Sequence, residues 1–126
     1  MSTNIRIVHA HEFIKATPEG HLDLDKTKEL LKEIVAASGP SSDYEVFLDV
    51  RKTQPELSIA DLWYLAAELS NFRKAFSRKT AVLCSGERSD YAEFLALCAQ
   101  NRGMNVNAFT SFEAAIEWLI EGRVDA

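Results

Sequence analysis

The stretch from Tyr44 to Leu69 constrains the fold more than any other part of the chain, because it predicts a strand, a loop and a helix in direct succession. A short apolar run rich in β-forming side chains consists of Val46, Phe47, Leu48 and Val50, and is typical of a strand buried on both faces. Residues 51–57 are polar and contain a proline, which predicts a loop. A helix is then predicted from Ser58, whose hydroxyl can cap its first turn.

Polar side chains are concentrated where this predicted strand ends and the helix begins. Asp49, Arg51, Lys52 and Ser58 all belong to this segment. In open α/β folds, ligands and partners usually bind at the carboxyl edge of the sheet, which is where these residues are expected.

Strands and helices alternate along the rest of the chain. β-prone stretches are predicted at residues 5–10, 12–16, 80–84 and 106–109, and helices at residues 25–37, 58–75, 90–102 and from Thr110 onward. A turn is predicted at Pro18-Glu19-Gly20 and loops at residues 39–42 and 85–86. The alternation predicts one α/β domain over residues 1–126 with a mostly parallel sheet, four helices and an antiparallel N-terminal edge strand.

The helix ends and buried faces are predicted from local signals. Asp25 and Thr110 are the expected N-caps of the first and last helices, and Gly103 the stop of the third. The expected buried residues of the last three helices are Ile59, Leu62, Leu65, Leu69, Phe72 and Phe76, then Phe94, Leu97 and Cys98, then Phe112, Ala115, Ile116 and Leu119.

Composition places limits on function. The chain is 47% hydrophobic and 26% charged, as in ordinary globular proteins, and its net charge of −5 argues against binding nucleic acid. No apolar run reaches membrane-spanning length, and the N-terminus lacks the pattern of a signal peptide. Cys84 and Cys98 lie in apolar settings typical of reduced cysteines, which favours a cytoplasmic location, although a disulfide between them stays open.

Four segments together resemble a STAS-type domain, and most closely the SpoIIAA-like family of small bacterial proteins. They are GHLDLDKTKELLKEI, VFLDVRKTQPELSIADLWYLAAEL, KTAVLCSG and VNAFTSFEAAIEWL. The resemblance covers nearly the whole chain and implies a STAS-like fold that binds protein partners rather than an enzyme. In anti-sigma-factor antagonists of this type, a serine at the start of the second helix is phosphorylated, and Ser58 falls at that place. The Asp before that serine and the Gly after it are missing here.

Each candidate site has an alternative interpretation. Ser58 is first of all a helix cap, and a regulatory phosphosite is the alternative interpretation. Arg51, Lys52, Glu87 and Arg88 follow two neighbouring predicted strands and form a candidate partner-binding or anion-binding group, or else are solvated loop charges.

Other clusters point less clearly to a site. His9 and His11 share one face of a strand, but no third ligand has a suitable spacing, so we expect no metal. Arg73, Lys74, Arg78 and Lys79 form a basic cluster that suits a helix C-terminus or an acidic partner. Trp63 and Tyr64 complete the core or form part of an interface.

No catalytic motif is present. There is no dinucleotide-binding glycine pattern, phosphate-binding loop or nucleophile elbow, and Arg88 follows Cys84 too closely for a phosphatase loop. We therefore expect a non-enzymatic cytoplasmic regulatory module, with no cofactor, that binds a protein partner around the start of the Ser58 helix. A homodimer stays open. The alternative is a carrier or sensor of a small apolar or anionic ligand held between the helices and the sheet.

Overall fold

The computed structural model describes residues 7–10, 13–38, 44–72, 76 and 78–121. The strands are β1 Ile7–Ala10, β2 Phe13–Ala16, β3 Gly20–Leu22, β4 Glu45–Asp49, β5 Thr53–Pro55, β6 Thr80–Leu83 and β7 Val106–Phe109. The helices are α1 Leu24–Ser38, α2 Ile59–Asn71, α3 Ser89–Gln100 and α4 Phe112–Ile120, and a 3₁₀ turn spans Gly86–Arg88. The predicted loop at residues 39–42 and His11 lie outside the described residues.

Five strands form the main sheet in the order β1-β2-β4-β6-β7. Strand β1 pairs antiparallel with β2 at one edge, and the other pairings are parallel. The register of the two central strands places Leu48 opposite Val82. The predicted α/β architecture is therefore confirmed, including the antiparallel N-terminal edge strand, the four helices and the adjacent parallel strands 45–50 and 80–84.

A second, two-stranded sheet corrects part of the sequence prediction. Residues 51–57 were expected to form only a loop, but Thr53–Pro55 form β5, which pairs in parallel with β3. Proline is tolerated because it needs no partner for an N–H at the edge of so small a sheet. Gly20 begins β3 with a φ of +90°, and its N–H donates to the Lys52 carbonyl at 3.1 Å. The pairing ties the segment after β4 to the segment before α1.

The helices cover the two faces of the main sheet unequally. Side chains of β2, β4 and β6 alternate across the sheet, so Val46 and Val82 pack with α1, α2 and α3 in the larger core cluster. Phe47, Ala81 and Leu83 point the other way and pack against Ala115 and Leu119 of α4. The core therefore has two parts, one on each side of the central strands.

Two predicted helix caps are displaced by two residues or fewer. The carboxylate of Asp23, not Asp25, accepts the Lys26 N–H at 2.9 Å at the start of α1. Ser111, not Thr110, caps α4 by accepting the Ala114 N–H at 3.2 Å. In each case two polar residues near the helix start were compatible with capping, and the backbone path selects one of them.

Three large side chains predicted to be buried are instead exposed, namely Ile59, Leu97 and Phe112. In α3 the buried residues are Ala92, Ala96 and Ala99, since small side chains allow the helix to pack closely against its neighbours. Periodicity favours large apolar residues and so placed Leu97 on the buried face of α3 in error, whereas the predicted Cys98 is half-buried and packs against the core. Other predicted core residues are buried, including Leu62, Leu65, Leu69, Phe76, Ala115 and Leu119.

Candidate functional site

An open cleft lies between the start of α2 and the start of α3. Because β4 and β6 are adjacent and parallel, the segments that follow them emerge at the same edge of the sheet. We call the residues that line this cleft the cleft face, which comprises Leu57, Ser58, Ile59, Leu62, Asp90, Tyr91 and Phe94. The cleft is therefore at the carboxyl edge where the sequence predicted a binding region.

Ser58 is the N-cap of α2 and also part of the cleft face. Its Oγ accepts the Asp61 N–H at 3.0 Å, and its own N–H donates to the Asp61 carboxylate at 3.0 Å. This reciprocal arrangement is a capping box, with Asp in the place usually held by Glu. These two hydrogen bonds confirm the predicted capping role. Because the residue is exposed, its hydroxyl also faces solvent.

Arg51 holds the turn after β4 rather than presenting a free cation. Its guanidinium donates to the Asp49 carboxylate through Nε at 3.0 Å and Nη2 at 2.8 Å, and its backbone N–H donates to the same group at 3.1 Å. Burial raises the pKa of Asp49, but the hydrogen bonds and charge of Arg51 outweigh this and hold the pKa below its ordinary value. Since Asp49 neutralises much of its charge, Arg51 is a weaker candidate for partner recognition.

The other charged residues predicted for the site are separated by the structure. Lys52 and Glu87 are exposed and line neither the cleft nor the cavity described below. Arg88 is half-buried and belongs to the cavity lining. The predicted group therefore does not converge on one point, although all its members lie near the same edge of the sheet.

Exposed apolar residues contribute most to the cleft face, and sequence reasoning placed one of them in the core. Ile59 is 71% exposed and Tyr91 is 40% exposed. Trp63, one turn further along α2, is 56% exposed, and the Arg102 guanidinium lies 5.0 Å from the centroid of its ring. The sequence did contain a signal that Ile59 is exposed, namely its position directly after the helix cap. The first turn of a helix can extend past the edge of the sheet against which the later turns pack.

A cavity of about 80 Å³ lies beneath the cleft, between the sheet and helices α1 to α3. Its walls are almost entirely apolar, and it shares Leu57, Leu62 and Tyr91 with the cleft face. Two hydroxyls in its lining, Thr80 Oγ1 and Ser85 Oγ, are buried and make no hydrogen bond within the described part of the chain. Sequence patterns cannot reveal such a cavity, because it depends on how the strands of both sheets and helices α1 to α3 pack together.

Part of the predicted basic cluster serves the fold. The Nε of Arg78 donates to the buried Glu45 carboxylate at 3.0 Å. The Nζ of Lys79 donates to the carbonyls of Trp118 and Glu121 at 2.7 Å each, which satisfies the C-terminal end of α4. Arg73 and Lys74 lie outside the described residues.

Two other predictions concern cysteines and metals. Cys84 and Cys98 are both free thiols, and burial together with the charge of Glu93 raises the pKa of Cys84. Within the described residues, no three His, Cys, Asp or Glu side chains are grouped as metal ligands. The side chain of His9 lies outside the described residues, so the expectation of no metal there stays a prediction.

Comparison with known proteins identifies the fold. No family model matches the sequence, and neither does any curated protein. An uncharacterised protein of the DUF3478 family with a SpoIIAA-like fold, from Shewanella loihica PV-4, is 17% identical, with a TM-score of 0.61 and coverage of 94% of both chains. An anti-sigma factor antagonist from Mycobacterium paratuberculosis is 14% identical, with a TM-score of 0.64, covering 95% of this chain and 96% of its own.

These similarities confirm the expected architecture while the sequences have little in common. No helix in the described ranges has the length and apolar character needed to cross a membrane. Since both matched structures cover nearly the full length, the shared fold extends over the sheet and the helices that form the cleft. The chain therefore has a SpoIIAA-like fold.

Proposed function

We propose that this protein is a non-enzymatic cytoplasmic regulatory module that binds a protein partner through the cleft face. The observation that carries the proposal is the pair of exposed apolar side chains, Ile59 and Tyr91, beside the exposed helix cap Ser58. Aromatic and aliphatic side chains at the centre of a polar surface are typical of protein interfaces. The name of the Mycobacterium paratuberculosis protein supplies the first class of partner to test, an anti-sigma factor.

The charge around the cleft face defines the complementary partner surface. Glu56, Asp61, Asp90 and Glu93 lie in or next to the segments that form the cleft. Lys52 and Arg88 are the nearby cations that Asp49 does not neutralise, so acidic groups predominate. We expect the partner to present apolar side chains surrounded by lysine or arginine, because opposite charges guide association and exclude wrong partners.

Ser58 is the residue through which this interaction would be regulated. A phosphate on Ser58 would gain from the positive end of the α2 dipole but would also approach the Asp61 carboxylate, which already bonds the Ser58 N–H at 3.0 Å. The added charge would fall within the cleft face itself. We therefore expect phosphorylation, or Ser58→Asp, to change partner affinity more than it changes folding.

The test is photo-crosslinking from two matched positions in living cells of the source organism. A benzophenone amino acid replaces Ile59 in one variant and Ile120 in the other, since Ile120 is 47% exposed on α4, on the opposite side of the sheet. The proposal predicts a discrete crosslinked protein at position 59 that is absent at position 120. The same products at both positions, or none at position 59, would refute it. A crosslink at position 59 only to a second copy of this chain would replace it with a homodimer.

A further inference from the structure

The cavity beneath the cleft has an apolar interior that extends along the central strands. The side chains of Val46 and Leu48 on β4 and of Val82 on β6 form its floor, and Ile34 and Leu65 form part of its roof. Its volume is about 80 Å³. For comparison, an apolar cavity of about 150 Å³ engineered into another protein admits benzene. A slim aliphatic chain therefore suits this space better than an aromatic ring.

Two hydroxyls of the cavity lining lie near opposite ends of strand β6. Thr80 stands at the first position of β6 and is 4% exposed, and Ser85 follows the last residue of the same strand by two positions. Neither hydroxyl makes a hydrogen bond within the described residues. Because an unpaired buried hydroxyl lowers stability, the Ser85 hydroxyl points to a ligand that supplies its missing partner.

Arg88 adds a cation at the Ser85 end. Its backbone N–H donates to the Ser85 carbonyl at 3.0 Å, so the turn holds the two residues together. Its side chain is half-buried in the cavity lining and has no ion pair or hydrogen bond with any other described residue. Half-exposed Pro55 and Leu57 and exposed Tyr91 line the same cavity, so this end reaches the surface. A guanidinium at such a place is well suited to bind a carboxylate through two parallel hydrogen bonds.

We propose that this cavity binds a short-chain aliphatic carboxylate. The aliphatic chain lies along Val82 beneath Leu65, and the carboxylate lies at the mouth between the Arg88 guanidinium and the Ser85 hydroxyl. The Arg88 charge favours the anion over an alcohol of the same length, and the apolar walls favour a longer chain over acetate. This inference does not depend on the protein partner, because binding of a carboxylate can be measured on this chain alone.

The test is titration of the full chain with sodium hexanoate, followed by methyl NMR and calorimetry. The proposal predicts saturable shifts at Val82 and Leu65 and contacts between hexanoate protons and the Val82 methyl groups. Acetate and hexan-1-ol should each bind at least about tenfold more weakly, because each lacks one of the two interactions. Shifts confined to surface residues, or equal affinity for acetate and hexanoate, would overturn the proposal.

Two matched variants separate specific binding from general attraction of anions. Arg88→Gln should weaken hexanoate binding about tenfold, whereas Lys52→Gln, which removes an exposed cation that does not line the cavity, should leave it unchanged. Equal weakening of hexanoate binding in both variants would show that only general attraction between the anion and positive charge is involved, and would contradict the proposed role of Arg88. Ala92→Leu should fill the cavity and abolish binding. If that variant does not fold, the Val82 contacts in the unaltered protein decide the question.

Discussion

At the scale of single residues, several of the polar groups that the sequence analysis singled out stabilise the fold. Ser58 closes a capping box, Arg51 neutralises Asp49, and Arg78 pairs with Glu45. The sequence correctly indicated where these residues lie, but it could not show which of them were already paired. Pairing depends on side-chain geometry at distances of about 3 Å, which residue type and spacing do not determine.

The capping role of Ser58 gives a first prediction. Ser58→Ala should lower the free energy of unfolding by about 1 kcal/mol, because the Asp61 N–H loses its acceptor, whereas Ser58→Asp should be nearly neutral because Asp also caps. Urea denaturation of the three proteins measures both changes. An unchanged stability in Ser58→Ala would show that the hydrogen bond contributes nothing, and a large loss in Ser58→Asp would show that two adjacent carboxylates are not tolerated.

The Asp49–Arg51 pair gives a prediction about pH. Because Arg51 lowers the folded-state pKa of Asp49, the pair contributes stability above the unfolded pKa of about 3.9, and this contribution is lost as pH falls through the folded pKa. Asp49→Asn should therefore lower the free energy of unfolding by about 1–2 kcal/mol at pH 7, a modest figure because Arg51 is partly exposed to solvent.

The measurement for this pair is urea denaturation of both proteins at several pH values between 7 and 3. The difference between the unaltered protein and Asp49→Asn should be constant above about pH 5 and should shrink below about pH 4. A difference that stays constant over the whole range would show that the charge of Asp49 does not stabilise the fold.

At the scale of elements, the strands were easier to predict than the helix faces. The central strands contain short, mainly apolar runs, as is typical of buried parallel strands. Strand β5 was missed because it is three residues long and ends in Pro55, and it pairs with the equally short β3. Nothing in either segment alone indicates the pairing, which is non-local.

Helix α3 shows why periodicity can select the wrong face. Ala92, Ala96 and Ala99 lie on the buried side, and Leu97 is 53% exposed. Apolar periodicity gives weight to large side chains, yet a helix that packs closely against a strand and another helix needs small ones. The alternation of alanine at positions four and three apart was the signal that would have identified the correct face.

The face assignment of α3 gives a third prediction. Ala96→Leu should destabilise the protein by about 1–3 kcal/mol, since the site is packed and has no room for three more carbon atoms. Leu97→Ala should change stability by about 0.5 kcal/mol or less, because the side chain faces solvent. Thermal unfolding followed by circular dichroism compares the two. The opposite ranking would mean that α3 is rotated relative to the described structure.

At the scale of the whole molecule, the fold brings sequence-distant segments together at one edge. Residues 56–59 and 88–94 meet because β4 and β6 are adjacent and parallel, and the β3–β5 pairing braces the first of them. The edge itself was predictable from the strand–loop–helix pattern. The exposed apolar residues of the cleft and the cavity beneath it were not, because both depend on where α2 and α3 lie relative to each other.

The central claim is that the cleft face binds a protein partner, and the most direct test is an affinity comparison. Isothermal titration of the crosslinked partner, once isolated, should show that Ile59→Asp weakens binding at least about tenfold, while Ile120→Asp leaves it unchanged. Both variants should unfold at the temperature of the unaltered protein, since both side chains are exposed. Equal affinities for the two variants, or a loss only in Ile120→Asp, would contradict the assignment of the interface to the cleft face.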